Sequence, residues 1–311
     1  MYNLKFAGFK IKRIFAKQVF TAVLILLAVS SSIGFAQKAE FAKNIEAIAK
    51  EARGVVGVGI MDLKSRETVV LNPSHKFPMQ SVFKFPLAMA VLDQVDKGKF
   101  TLAQKIHVTK QDVSPKTWSP LSKKYPDGEV DLTLAELLGY TVSMSDNNAC
   151  DILFRLLGGP KNVEDYIRTL GVKDIAIVAT EEEMSKHWDV QFTNWCRPAA
   201  MLQLLDVIYK GKKLSQTSND FLLKIMTETT TGPNRMKGLL PRNAMVAHKT
   251  GTSNTNEKGI TAASNDVGIV TLPNGKQVAV VVFVSNAAAD EKTRDAVIAK
   301  ITKTAWDYYS K

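Results

Sequence analysis

The 311-residue chain has little of what metal chemistry requires. It holds two cysteines, Cys150 and Cys196, no Cys-x-x-Cys, and four histidines, His75, His107, His187 and His248, with no paired spacing. Zinc sites are built from closely spaced Cys and His, so a metallo-hydrolase finds no support and no metal is expected. No block of five like charges occurs either; the basic excess is scattered, with pairs such as Lys123-Lys124 and Lys212-Lys213. That excludes a nucleic-acid stripe and favours solvated surface, with a modest positive field suited to an anionic small substrate. No apolar run reaches the roughly 20 residues that span a bilayer.

What is present begins with an address. Lys5, Lys10, Lys12, Arg13 and Lys17 carry charge without one acid, Val19 to Val29 is almost wholly apolar, and the run closes on Gly34-Phe35-Ala36. Small residues stand where a signal peptidase reads, so residues 1–36 are expected to be a signal peptide cut near Ala36-Gln37, and the mature chain to be periplasmic, with no membrane segment. An uncleaved anchor is the alternative. Removing this segment takes five of the 41 basic residues and none of the 30 acidic ones, leaving 36 against 30, a charge of +6. The two cysteines then meet a compartment that permits disulfides, and whether they are bridged stays open.

Hydrophobic residues make up 45% of the chain, enough for a packed enzyme core. After a helical stretch from Ala39 to Ala52, Val55 to Asp62 and Glu67 to Leu71 read as strands around a Lys64-Ser65-Arg66 turn. Helical periodicity then dominates, in Ser81 to Val95, Leu134 to Tyr140, Asn147 to Leu157, Val163 to Leu170 and Ala199 to Tyr209. The polar stretch Thr180 to Arg197 reads as a long loop, of a length that is usually functional. After a helix at Ser218 to Met226, strands return in Met245 to Lys249, Asn265 to Leu272 and Gln277 to Ser285, and Thr293 to Tyr309 is helical. Strands at both ends of the mature chain predict a two-domain α/β fold. An antiparallel sheet flanked by terminal helices (residues 37–80 and 215–311) receives an inserted all-helical domain (residues 81–214), with a cleft between them.

Three short patterns carry chemistry. Ser81-Val82-Phe83-Lys84 puts a hydroxyl and an amine at i and i+3, on one face of a helix, a nucleophile with a local base; if Ser81 begins the helix, its positive end favours developing negative charge. Ser145-Asp146-Asn147 joins two predicted helices and can present a hydroxyl and an amide to the cleft. Lys249-Thr250-Gly251-Thr252 ends a strand, where a cation and hydroxyl can receive a carboxylate and the Gly lets backbone approach a ligand. Each alone is better read as an ordinary helix cap or strand end.

In this order the three resemble the motif set of the class A β-lactamases and the penicillin-binding proteins. Glu181, opening Glu181-Glu182-Glu183-Met184 where the β-lactamase loop has Glu-x-x-Leu-Asn, resembles the deacylating base that separates the two. Lys116-Thr117-Trp118-Ser119-Pro120, Thr230-Thr231-Gly232-Pro233 and Ala247 to Ser253 look like the subgroup active on extended-spectrum cephalosporins. The resemblance implies a cofactor-free monomer that hydrolyses small β-lactams and confers antibiotic resistance. It implies Ser81 as nucleophile, Lys84 or Glu181 as acylation base, the Ser81 and Thr252 N–H groups as oxyanion hole, and Ser145 as proton donor to the lactam nitrogen. Asn147 would hold the drug's side-chain amide, Lys249, Thr250, Ser253 and Arg235 its carboxylate, and Trp118 would wall the entrance. Four positions depart from the family pattern: Ser185 for the loop's Asn, Asp151 for Asn, and Ala179 and Asn194 for the Arg and Asp that clamp the loop. A D,D-peptidase only inhibited by β-lactams and a sensor acylated once are the rival readings.

Overall fold

The computed structural model describes residues 36–311. The expected signal peptide therefore lies outside the described residues, apart from Ala36. The chain divides into two compact units, Met1–Ile45 and Glu46–Lys311. Residues 36–49 are helical (α1), and no helix among the described residues is long and apolar enough to cross a membrane.

The strands are β1 (Val55–Asp62), β2 (Thr68–Leu71), β3 (Phe77–Pro78), β4 (Lys105–Val108), β5 (Val130–Thr133), β6 (Ile175–Ala176), β7 (Trp195–Cys196), β8 (Met245–Thr252), β9 (Thr261–Thr271) and β10 (Gln277–Ala287). Five of them form an antiparallel sheet in the order β2-β1-β10-β9-β8, so strands from both ends of the chain meet at β1 and β10. The longer helices are α2 (Lys84–Asp96), α4 (Leu134–Ser143), α5 (Asn147–Leu157), α6 (Pro160–Thr169), α8 (Pro198–Lys210), α9 (Gln216–Thr227) and α10 (Glu291–Tyr309); α3 (Pro120–Lys124) and α7 (Glu181–Lys186) are short.

β9 and β10 are buried along nearly their whole length, because helices cover both faces of the sheet. α8 packs on β1 and β10, and α10 on β9 and β10. The α8 contact is close: a Cβ on Gly59 would lie 2.9 Å from Leu202; two residues earlier on β1, one on Gly57 would enter the ring of Phe77 on β3 at 2.3 Å. On the helical side α2 is the hub, touching α4, α5, α6 and α9, with Lys84 to Leu92 all buried. A helix apolar all round belongs in a core, and Pro86 sits in its first turn, where the missing N–H costs nothing.

Two expectations need correction. The helical block contains an antiparallel pair, β4 with β5, and its β6 and β7 form a small sheet with β3, which lies just before it; these strands of two to four residues are too short to show a period. The Thr180 to Arg197 segment is not a plain loop: it carries α7, a 3-10 turn at Trp188–Phe192, and β7. α7 starts on a capping box, in which the Thr180 side chain accepts from the Glu183 N–H and the Glu183 carboxylate accepts from the Thr180 N–H.

Candidate active site

Ser81 does not open the α-helix. It lies in a 3-10 turn, Gln80–Phe83, that runs straight into α2, and Gln80 before it has φ of +48°. The turn is pressed onto β8: a Cβ on Gly251 would stand 2.4 Å from the Met79 carbonyl oxygen. What approaches the Lys-Thr-Gly glycine is therefore the protein's own serine-bearing backbone rather than a ligand. The Asn265 amide donates to the Pro78 and Met79 carbonyls and fixes the turn from below.

Lys84 is fully buried, and four oxygens surround its Nζ: Ser81 Oγ at 3.0 Å, the Ser145 carbonyl at 2.9 Å, Asn147 Oδ1 at 2.5 Å and Glu181 Oε1 at 2.8 Å. An ammonium has three protons, so one of these four contacts always lacks one. Ser81 Oγ in turn donates to Glu181 Oε1 at 3.3 Å. The hydroxyl sits between an ammonium that donates to it and a carboxylate that accepts from it.

Ser145 adopts φ of +57°, the left-handed region that costs a non-glycine residue energy and clusters at functional sites. The turn lets one residue send its carbonyl to Lys84 and its hydroxyl to Lys249, whose Nζ donates to Ser145 Oγ at 2.9 Å. Asp146 holds it in place as the cap of α5, accepting from the Ala149 and Leu121 N–H groups and the Ser119 hydroxyl. Asn147 uses Oδ1 on Lys84 and one Nδ2 proton on Thr117 Oγ1, leaving its second N–H.

Lys249, also fully buried, has its pKa pulled well down, first by burial and then by the nearby Lys84 ammonium. Thr250 Oγ1 lies 2.5 Å from Thr231 Oγ1, so the Thr230-Thr231 segment completes the far wall. β8 is an edge strand, and Ser253 N–H bonds the Ala263 carbonyl; by alternation the Thr252 N–H faces away from β9. The Ser253 hydroxyl donates to the Asn254 carbonyl and accepts from the Ala263 N–H. Arg235 is buried, its Nε on Asp295 at 2.7 Å and Nη1 on the Gly251 and Asn265 carbonyls. Trp118, 54% exposed, stands on the rim with its indole N–H on the Met144 carbonyl. Ser81, Ser145, Asn147, Glu181, Arg235 and Trp118 all line one cleft of about 1110 Å³, together with Thr250, Thr252 and Ser253; Lys84 and Lys249 lie beneath it.

The departures from the family pattern turn out to hold the loop. Asp151 accepts the Glu181 and Glu182 N–H groups at 2.8 and 2.9 Å, fixing the start of α7. Asn194, fully buried, accepts from the Val178 and Ala179 N–H groups and donates to the Ala179 carbonyl, so a neutral amide closes the loop ends. Ser185 bonds back to the Glu182 carbonyl of its own helix. Gln80 and Gln191 join the serine turn to the same loop through a buried 2.6 Å hydrogen bond, a link with no signal in the sequence. Cys150 and Cys196 are buried free thiols.

Burial raises the Asp151 carboxyl to about 6, against the lowering effect of the two N–H bonds. Its folded pKa lies above its unfolded one, so the folded state binds the extra proton and this group's contribution to stability falls as pH rises from about 4 to about 6. Asp151→Asn removes that titration. The stability of the wild type relative to this variant, read from urea midpoints, is expected to drop by about 1–3 kcal/mol between pH 4 and pH 7; a constant difference would contradict the assignment.

A hydroxyl polarised between buried lysine and glutamate, under the edge of a five-stranded antiparallel sheet, is the arrangement of a serine hydrolase of the β-lactamase kind. Comparison with known proteins is decisive on the family. A family model described as "Beta-lactamase enzyme family" matches residues 40–309. Beta-lactamase VEB-1 and the extended-spectrum β-lactamase PER-1, both of Pseudomonas aeruginosa, are 45% and 44% identical to this chain, covering 92% and 94% of it and 97% and 95% of their own lengths. Among solved structures, a β-lactamase from Chitinophaga pinensis superposes with a TM-score of 0.85 at 58% identity, covering 87% of this chain and 99% of its own. The TLA-1 extended-spectrum β-lactamase superposes with a TM-score of 0.86 at 51% identity, covering 88% and 99%. The chain belongs to the β-lactamase enzyme family, within its class A serine enzymes.

Proposed function

We propose that this enzyme hydrolyses cephalosporins and penicillins through an acyl-enzyme on Ser81, freed by water that Glu181 activates. The observation that carries this is the position of Ser81 Oγ, 3.0 Å from Lys84 Nζ and 3.3 Å from Glu181 Oε1. In the sequence of steps we favour, Lys84 passes a proton to Glu181, and the freed amine takes the proton of Ser81 as its oxygen attacks the lactam carbonyl. The N–H groups of Ser81 and Thr252 hold the oxyanion; one such donor is typically worth about 10²–10³ in turnover. Ser145, backed by Lys249, gives its proton to the departing lactam nitrogen. The free N–H of Asn147 meets the drug's side-chain amide. Thr250, Arg235, Ser253 and the Lys249 charge receive its carboxylate, and Trp118 forms the entrance wall.

The relative PER-1 and the solved neighbour TLA-1, both described as extended-spectrum β-lactamases, support a preference for extended-spectrum cephalosporins. The leader sequence supports secretion to the periplasm, where we place the mature enzyme as a monomer. The domain division we favour is residues 37–80 with 215–311 as the α/β part and 81–214 as the helical part, which leans on the sheet through α8.

Purified wild type is expected to turn over many equivalents of a cephalosporin per enzyme. Stoichiometric consumption followed by arrest would instead identify a penicillin-binding or sensing protein.

A further inference from the structure

The cleft does not end at the groups that receive the substrate carboxylate. Beyond Arg235 it is lined by two acids of α10, Glu291 and Asp295. They are four residues apart, on one face of the helix and about 6 Å apart along its axis. Asp295 is nearly buried and spent on Arg235, with Nε to Oδ1 at 2.7 Å. Glu291 differs from it in both respects: it is in the first turn of α10, exposed, and among the described residues no hydrogen bond or ion pair holds its carboxylate. The neighbouring cation, Arg294, is turned inward, donating through Nε to Ser264 Oγ and through Nη1 to the Ala289 carbonyl.

This end of the cleft therefore presents a buried cation and, about one helical turn further out, an exposed anion that feels the charge of the inward-turned Arg294 but is not hydrogen-bonded to it. A ligand complementary to both carries a carboxylate with a positive charge beside it. In a cephalosporin, the ring carbon next to the carboxylate-bearing one carries a variable substituent, and in one class of these drugs that substituent is cationic. We propose that Glu291 is a specificity-determining residue that selects cephalosporins with a cationic substituent beside the ring carboxylate. The proposal rests on the reading that Arg235 and its neighbours receive that carboxylate. Glu291 takes no part in bond making or breaking; it acts on encounter and binding, so its effect falls on KM and is screened by salt.

The test compares two cephalosporins that share one acylamino side chain, one with a pyridiniummethyl and one with an acetoxymethyl group at the variable carbon. In Glu291→Gln at low ionic strength, kcat/KM for the pyridinium compound is expected to fall about two- to fivefold, as for an exposed charge pair, through a higher KM at unchanged kcat. The acetoxy compound should keep its wild-type values. Glu291→Lys should widen the difference, and about 1 M salt, where the Debye length is about 3 Å, should erase it. Equal losses for both compounds, or none for the pyridinium compound, would overturn the proposal. If wild type turns over neither compound, the Ser81 reading fails first, and that outcome is recognisable because it precedes any comparison of variants.

Discussion

Glu181→Gln is expected to cut the steady-state turnover of a cephalosporin by about 10²–10⁴-fold, the usual worth of a general base. The loss should be unevenly divided. Glu181 is one of four oxygens around Lys84 Nζ, and the Ser145 carbonyl, Asn147 Oδ1 and Ser81 Oγ remain when its charge is gone. In acylation the proton that Lys84 would pass to Glu181 must leave through water instead, so that step slows but continues, while attack by water on the ester has lost the carboxylate that would take its proton directly. The time course should show a rapid phase of about one product per enzyme followed by a slow one, the signature of an accumulating covalent intermediate. A uniform slowing without the rapid phase would mean that acylation depends on Glu181 more than deacylation does.

Lys84→Ala is expected to produce the opposite pattern. Removing the side chain deletes the 3.0 Å contact that would take the Ser81 proton and leaves the Ser145 carbonyl, Asn147 and Glu181 facing the emptied space. Acylation should fall by about 10²–10⁴-fold, and kcat/KM with it, while no acyl-enzyme accumulates because its formation is now limiting. Stopped-flow measurement at saturating substrate separates the two cases. A burst in Lys84→Ala would show that another group takes the serine proton.

The parts of this fold that were legible in the sequence are those with a period or a cap. The helices at Asn147–Leu157 and Pro198–Lys210 follow from apolar spacings long enough to repeat, and the Val55 to Asp62 strand from a short run of apolar and β-branched residues. β4 and β5, at four residues each, show no such pattern, and α7 hides among polar residues because its six positions bury none of them. In the site, motif residues were readable because three short patterns and Glu181 coincide. Their partners were not: Thr231, Gln191 and Asp295 lie 19, 111 and 60 residues from the groups they bond. Asp151 and Asn194 could be seen only as departures from a family pattern. That one carboxylate and one amide would hold both the start and the ends of the loop is a fact of three-dimensional packing.

Formation of a Ser81 ester and its clearance with Glu181 as base can be followed by intact mass spectrometry. Wild type and Glu181→Gln are mixed with excess cephalosporin and quenched over a time series, and the adduct is mapped by peptide digestion. Wild type is expected to show a transient adduct that vanishes as substrate is exhausted, and the variant a persistent one on Ser81. A persistent adduct in wild type, or an adduct mapped to a residue other than Ser81, would contradict this mechanism.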